Sequence, residues 1–239
     1  MKISRRTFML LAGGMAGAAL SCSYLETNKL TVTRLKFGLG SKIAFLADTH
    51  IHSLGWIEEE IIKKLEEESP DVVLHGGDII DEFTSSLDPV RAYLSAIEAE
   101  EKYAVLGNHD HWCRRTEELV RLLKDCGFRL LLDEVVKTRI GRLAGIDWRD
   151  DRNYSIEFDA DILLVHDPNA AAKAKKAELI LAGHTHGGVV VGGLTLLSNS
   201  IYTRGLYDLE NNRKLYVSRG LGQMIPLRPT SPLELVMIE

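Results

Sequence analysis

The 239-residue sequence predicts an α/β domain built on two sheets, and three observations carry that expectation. Short apolar runs alternate with stretches whose apolar residues fall at helical spacing, an order that gives parallel strand pairs with helices packed on their faces. Five of those runs end in potential metal ligands, so strands deliver chemistry to loops. After His186 the pattern changes to strands alone, and no repeat, low-complexity tract or long linker divides the chain. A charged fraction of 26% with 45% hydrophobic residues excludes disordered and fibrous classes.

The N-terminus stands apart. Ser4-Arg5-Arg6-Thr7-Phe8-Met9-Leu10 runs into an Ala- and Gly-rich stretch up to Leu20, with no acidic residue before Glu26. A charged n-region, paired arginines and an apolar h-region resemble a twin-arginine export signal. About a dozen apolar residues fall short of the ~20 a stable span needs, so export to the cell envelope is expected, with an uncleaved membrane anchor the lesser option. Cys22, after Ala19-Leu20-Ser21, resembles a lipoprotein processing site with a poor match at Ala19. Lipidation of Cys22 and its removal unmodified both stay open. Residues 1–22 are thus read as signal or anchor and 23–239 as the domain, with the twin-arginine machinery, which moves folded proteins, as a partner. Removing Lys2, Arg5 and Arg6 with the first 21 residues takes the formal charge from −5 to −8. An acidic chain has no electrostatic reason to bind nucleic acid.

Along the domain, Leu30-Thr31-Val32-Thr33-Arg34-Leu35 mostly alternates apolar and polar residues, as an edge strand does. A strand over 43–47 enters the first ligand loop. Ile57, Ile61, Ile62 and Leu65 then mark an amphipathic helix that Ser69-Pro70 stops. The order repeats with a strand at 72–75, a helix over 88–100, a strand at 103–106 and a helix over 115–126. Further strands are expected at 130–136, 143–146, 162–165 and 179–181, with a short Ala/Lys helix over 170–178. A hairpin pairs 202–209 with 214–218 around Asn211-Asn212. Cys113 and Cys126 flank a helix whose length holds their Cα atoms roughly 20 Å apart, beyond disulfide reach. Both are read as structural.

The loops supply Asp48, His50, Asp78, Asn108, His166, His184 and His186. Seven oxygen and nitrogen donors suffice for two divalent metal ions if one carboxylate bridges them, screening dications about 3.5–4 Å apart. The absence of thiolate from the set favours Mn, Fe or Zn. In extended chain, residues i and i+2 point the same way, so Asp48 with His50, and His184 with His186, reach one centre or two adjacent ones. His52, His75 and His111 fall off these positions and are read as structural, although His111 and Trp112 adjoin the site. Gly107 and Gly183 are read as turn formers.

Taken together, Asp48-Thr49-His50, Gly77-Asp78-Ile79-Ile80-Asp81, Gly107-Asn108-His109-Asp110, His166 and Gly183-His184-Thr185-His186 resemble the calcineurin-like metallophosphoesterases. That resemblance implies a four-layer αββα sandwich, two central mixed β-sheets flanked by helices, with metals at the ends of the central strands and the chain's final strands in the second sheet. It assigns Asp48, His50, Asp78 and His186 to one ion, and Asp78, Asn108, His166 and His184 to the other. His109 would sit over the phosphate as electrostatic stabiliser or general acid, with Asp110 or Asp81 orienting nearby groups. The mechanism implied is attack by metal-bound hydroxide on a phosphodiester or phosphomonoester, which needs no protein nucleophile. Accordingly the chain has no Gly-x-Ser-x-Gly elbow and no Walker loop.

Within the family, the N-terminal signal and the segments 202–207 and 218–222 look like a bacterial envelope-associated subgroup. Some relatives of that kind are phosphodiesterases, and others cleave the pyrophosphate of UDP-2,3-diacylglucosamine. That lipid-linked alternative would need an apolar groove for acyl chains, sought at Leu221, Met224, Ile225 and Leu227. A non-catalytic scaffold would show missing ligands, and none is missing. A monomer is expected.

Overall fold

The computed structural model describes residues 4–224, 228 and 230–239. In chain order, α1 (Arg5–Thr27) leads into β1 (Leu30–Leu35), β2 (Ile43–Leu46), α2 (Trp56–Glu68), β3 (Val72–His75), α3 (Asp88–Ala96), β4 (Glu101–Ala104), α4 (Asn108–Trp112), α5 (Thr116–Asp125) and β5 (Arg129–Leu130). There follow β6 (Glu134–Thr138), β7 (Gly141–Ile146), β8 (Ala160–Val165), β9 (Ala177–Ala182), β10 (Val189–Val191), β11 (Leu194–Leu197), β12 (Gly205–Asp208), β13 (Lys214–Val217) and β14 (Leu233–Ile238).

Two six-stranded sheets form the centre, in the orders β1-β14-β2-β3-β4-β5 and β12-β13-β9-β8-β7-β6. Each is mostly parallel, with β14 antiparallel to β2 in the first and antiparallel edge pairs β12–β13 and β6–β7 in the second. Period-2 alternation then sorts side chains between layers. Ile43, Phe45, Val72 and Leu74 meet Leu143, Ile162, Leu164, Leu179 and Leu181 between the sheets. Ala44, Leu46 and Val73 point the other way, onto Ile61 and Leu65 of α2, Tyr93 and Leu94 of α3, and Leu119, Leu122 and Leu123 of α5. Strands buried on both faces explain why these runs read as continuously apolar. The outer face of the second sheet is covered thinly, by Ala170, Ala171 and Ala174 with Tyr154 and Ile156.

Four expectations are corrected. The Ala/Lys helix over 170–178 is a 3-10 turn, Pro168–Ala172, because β9 takes over the chain at Ala177 and leaves only four residues between the two. The apolar run 130–136 is two strands, β5 in the first sheet and β6 in the second, with Asp133 turning the chain across at a φ of 57°. The last strand, β14, joins the first sheet between β1 and β2 instead of completing the second. Finally α3 stops at Ala96, where Ile97 becomes extended and buries its side chain in the core.

Elsewhere the elements stand close to where the spacing puts them, with β4 two residues earlier, at Glu101–Ala104, than the apolar run 103–106. Ser69 ends α2 in the left-handed region at φ 47°, directly before Pro70. Asn211 and Asn212 turn the chain between β12 and β13 at φ 60° and 58°. Cys113 and Cys126 flank α5 as free thiols. Among the described residues, no helix is long and apolar enough to cross a membrane, and the side chain of Cys22 lies outside what is described.

Candidate metal centre

The parallel order of β2, β3 and β4, and of β7, β8 and β9, sends every expected ligand loop to one end of the two sheets. There two groups form, Asp48 with His50 and His186, and Asp78 with His166 and His184, each with its donor atoms within 4.8 Å of one another. Asp78 touches both: its Oδ2 lies 3.8 Å from Nε2 of His50 and 3.0 Å from Nε2 of His166. The backbone makes this arrangement at a cost. Asp48, His50, Asp78, His184 and His186 all have positive φ, between 43° and 73°. Such conformations cost on the order of 1 kcal/mol each for side chains of this kind and cluster where function over-determines the fold.

Two glycines do more than turn the chain. A Cβ on Gly107 would stand 2.2 Å from Oδ1 of Asp78, and one on Gly183 would stand 2.6 Å from Oδ2 of Asp48. Neither position admits a side chain without displacing a carboxylate, so both are requirements of the site.

The ring nitrogens are aimed by their outer partners. His50 Nδ1 lies 3.1 Å from Asp81 Oδ2, His166 Nδ1 lies 2.8 Å from the carbonyl of Gly76, and His186 Nδ1 lies 3.2 Å from the carbonyl of Gly222. Each partner can only accept, so each Nδ1 carries the proton and each Nε2 presents a lone pair inward. His50 and His186 consequently face each other Nε2 to Nε2 at 3.3 Å. Only a proton or a cation between two such lone pairs satisfies both.

The second group has its own unsatisfied atoms. His166 Nε2 and Asn108 Oδ1 are buried without a hydrogen-bond partner, the former being near Asp78 yet out of line for a bond. An orphaned imidazole nitrogen and an orphaned amide oxygen beside a buried carboxylate make a donor set of the kind divalent Mn, Fe or Zn accepts. Burial works against a charge on His166, but Asp78 and Asp48 outweigh it and hold its pKa up to about 10, so without a cation Nε2 carries a proton toward Asp78, and a metal ion would take the lone pair by displacing it. Burial and the neighbouring His166 push His184 down to about 2, so its ring is neutral.

His109, expected over the phosphate, and Asp110, expected to orient nearby groups, are held in different surroundings. His109 lies on the cavity wall, its Nδ1 2.8 Å from Glu82 Oε2 and its N–H donated to Asp78 Oδ1 at 2.8 Å. Asp110 is fully buried and accepts from the N–H groups of Asp78, Ile79, Ile80 and Gly107 at 2.7–3.0 Å. Four backbone donors on one carboxylate make it the clamp of the Asp78 loop, and it is a positioning residue with no face toward substrate. Asp81 is likewise a positioner, holding His50 and, with both oxygens at 2.8 Å, Nε2 of His52. His75 is buried against Thr49, and His111 bonds Asp147 at 2.8 Å, so the structural readings of these two stand.

Several site residues have no motif to announce them. A cavity of about 500 Å³ is lined by Asp78, Asn108, His109, His184 and His186 together with Trp112, Arg152, Asn199, Gln223, Met224 and Arg228. Arg152 stacks over Trp148 at 5.3 Å and puts Nη2 2.6 Å from His184 Nε2, while Asn199 Nδ2 lies 3.2 Å from the same nitrogen. An arginine in a loop rich in Asp and Arg gives no spacing signal; only the fold brings it here. Of the apolar groove sought for acyl chains, Leu221 is buried in the first core and Met224 lines the cavity, while Ile225 and Leu227 lie outside the described residues.

The sequence pattern of the calcineurin-like phosphoesterases matches residues 41–188. The chain is similar to an uncharacterized metallophosphoesterase of Aquifex aeolicus, 30% identical over 243 residues with 92% of this chain and 93% of that one covered. It is similar to the metallophosphoesterase YkuE of Bacillus subtilis at 30% over 271 residues, covering 95% and 94%. It is also similar to the phosphodiesterase YaeI of Escherichia coli at 28% over 221 residues, covering 83% and 81%. With a matched span that contains every candidate ligand from Asp48 to His186, the chain belongs to the calcineurin-like phosphoesterase family and is a hydrolase of phosphoester bonds.

Proposed function

We propose that the chain is a dinuclear-metal phosphodiesterase. The observation that carries this reading is the pair of three-residue donor groups with Asp78 within reach of both. Asp48, His50, Asp78 and His186 would hold one divalent ion, and Asp78, Asn108, His166 and His184 the other. Two such ions, when bound, supply positive charge for the phosphoryl oxygens and acidify a coordinated water.

The chain's own groups do the rest. The Glu82 carboxylate only accepts, so it keeps a proton on His109 Nδ1; the imidazolium form of the ring then has a second proton, on Nε2, to give to a departing alkoxide. Asp110 holds the Asp78 loop in place through its four backbone donors. Arg152 and Arg228 bring positive charge to the cavity wall, where a phosphoryl oxygen would lie.

A diester is favoured over a monoester by the relative named as a phosphodiesterase. A lipid-linked pyrophosphate is the alternative substrate within the same chemistry. The experiment is metal analysis of the purified protein with Mn-dependent hydrolysis of bis-p-nitrophenyl phosphate beside p-nitrophenyl phosphate. About two ions per chain with turnover of the diester is expected; a folded, metal-free, inactive protein overturns the reading. For location, the Arg5-Arg6 pair supports export by the twin-arginine route to the cell envelope. Replacing both with Lys should block export, and unchanged export would point to another route.

A further inference from the structure

Residues 189–197, Val-Val-Val-Gly-Gly-Leu-Thr-Leu-Leu, carry no charge and form a separate two-stranded ribbon, β10–β11, with a Gly192-Gly193 tip. All four residues of β11 are exposed, and Val191, Leu194, Leu196, Leu197 and the neighbouring Ile201 are 54–73% exposed. Because side chains alternate between the faces of a ribbon, exposure of consecutive residues leaves both faces of β11 uncovered, while Val189 and Val190 of β10 are half-buried at the ribbon's base. A two-stranded ribbon with two bare apolar faces is poorly suited to water.

The base of the ribbon is fastened to the metal centre. Asn199, two residues beyond β11, bonds the carbonyl of His184 at 3.2 Å. On the other side, Val190 N–H donates to Thr230 Oγ1 at 3.0 Å, three residues before β14 begins. At that same end β14 starts beside Asp48, with Glu234 N–H bonded to the carbonyl of Gly220 at 3.0 Å. Now β1 runs parallel to β14 with Leu30 opposite Leu233. The helix α1 therefore joins the domain at the end of the sheet that carries the ligands. It exposes Phe8, Met9, Leu10 and Leu11 directly after Arg5 and Arg6.

We propose that this end of the molecule docks on a lipid bilayer, with the β10–β11 ribbon immersed among the acyl chains and α1 lying in the interface. The occupant follows from the geometry of exposure. A protein surface covers one face of a ribbon, whereas a fluid apolar phase surrounds both, and one such phase receives the ribbon and α1 together. Arginines at the start of an apolar helix suit the headgroup boundary. With a net charge of −5, the chain gains little from anionic lipid, so the attraction is chiefly apolar. The inference rests on the proposed function for its consequence: the site's mouth meets the headgroup layer, and the substrate is a phosphoester carried on a lipid.

The test sediments the full chain with vesicles of phosphatidylethanolamine containing a minority of phosphatidylglycerol. It compares wild type with Leu194→Glu/Leu197→Glu, a pair that belongs neither to the ligand groups nor to the lining of the cavity, and with Leu10→Glu/Leu11→Glu. Wild type should co-sediment and keep doing so at raised salt. The ribbon variant should lose at least about tenfold in partition, while its circular dichroism and its hydrolysis of the soluble diester stay as in wild type. A ribbon variant that partitions like wild type overturns the proposal, and so does a wild type that stays in solution or dimerises through the ribbon. A wild type that hydrolyses the diester but does not bind vesicles refutes the docking surface alone; a wild type that binds vesicles without any hydrolysis refutes the catalytic reading alone.

Discussion

The two halves of the metal centre are held in different ways. In the first, His50 and His186 are already turned inward, their Nδ1 protons given to Asp81 and to the carbonyl of Gly222. In the second, His166 is set in the same manner by Gly76, but His184 spends its one lone pair on Arg152. A neutral imidazole has a single acceptor nitrogen and a guanidinium can only donate, so a cation at His184 must take that pair from Arg152. The comparison teaches that one half is preorganised for an ion and the other is guarded by a cation of the protein's own. The first half should therefore fill first.

Breaking the link between the halves should have the largest effect. Asp78→Asn removes the carboxylate that lies within reach of both groups, so turnover should be abolished and bound metal reduced in direct analysis. Full activity in that variant would sink the bridging assignment. Next comes His109→Ala, which should leave metal content unchanged and lower kcat by about 10²–10³-fold, the scale of a lost proton donor. Metal loss there would count against its place off the ions.

The difference between halves is sharpened by a matched pair of variants. Asp81→Ala frees the ring of His50 and should weaken the first-filled site about 10–100-fold, as loss of an orienting partner does elsewhere. Arg152→Ala should act in the opposite direction on the other site, tightening the second equivalent by up to about tenfold, because a competing positive charge is gone. Calorimetric titration with Mn reads both. Equal effects of the two variants on the two sites would erase the distinction.

The smallest expected effect is on stability against pH in the metal-free protein. His166 is held up to about 10, so its contribution is complete below the unfolded value of about 6.5 and is lost as pH rises toward 10. His184 and His186 are pushed below that unfolded value, so their folded state is penalised as pH falls through it. Thermal midpoints should thus peak near about pH 6.5 and decline on the alkaline side. Saturating metal, which requires the lone pair of His166, should flatten that alkaline decline.

How far the sequence could be read follows from what kind of information each element needs. Strand ends at Asp48, Asp78 and His166 were legible because buried parallel strands are continuously apolar and stop at polar loops. Sheet membership was not: Leu130-Leu131-Leu132 reads as one run, yet Leu130 pairs in the first sheet and Val135 in the second. The place of β14 between β1 and β2 is equally invisible, since an apolar run at 233–238 does not say which edge it enters. The ribbon at 189–197 has the composition of a core hairpin, and only its exposure distinguishes it. Within the site, motif spacing marked the seven donors, whereas Arg152 and Asn199 come from loops whose approach to His184 is a property of the folded chain.

The central claim is that Asp78 joins two cation sites, one preorganised and one guarded by Arg152, and titration of the metal-free chain with Mn tests it most directly. Wild type should take up two equivalents in two distinguishable steps, with hydrolysis of bis-p-nitrophenyl phosphate rising on the second, and Asp78→Asn should bind neither tightly. A single equivalent that supports full hydrolysis in wild type, or two equivalents retained by Asp78→Asn, would contradict the account.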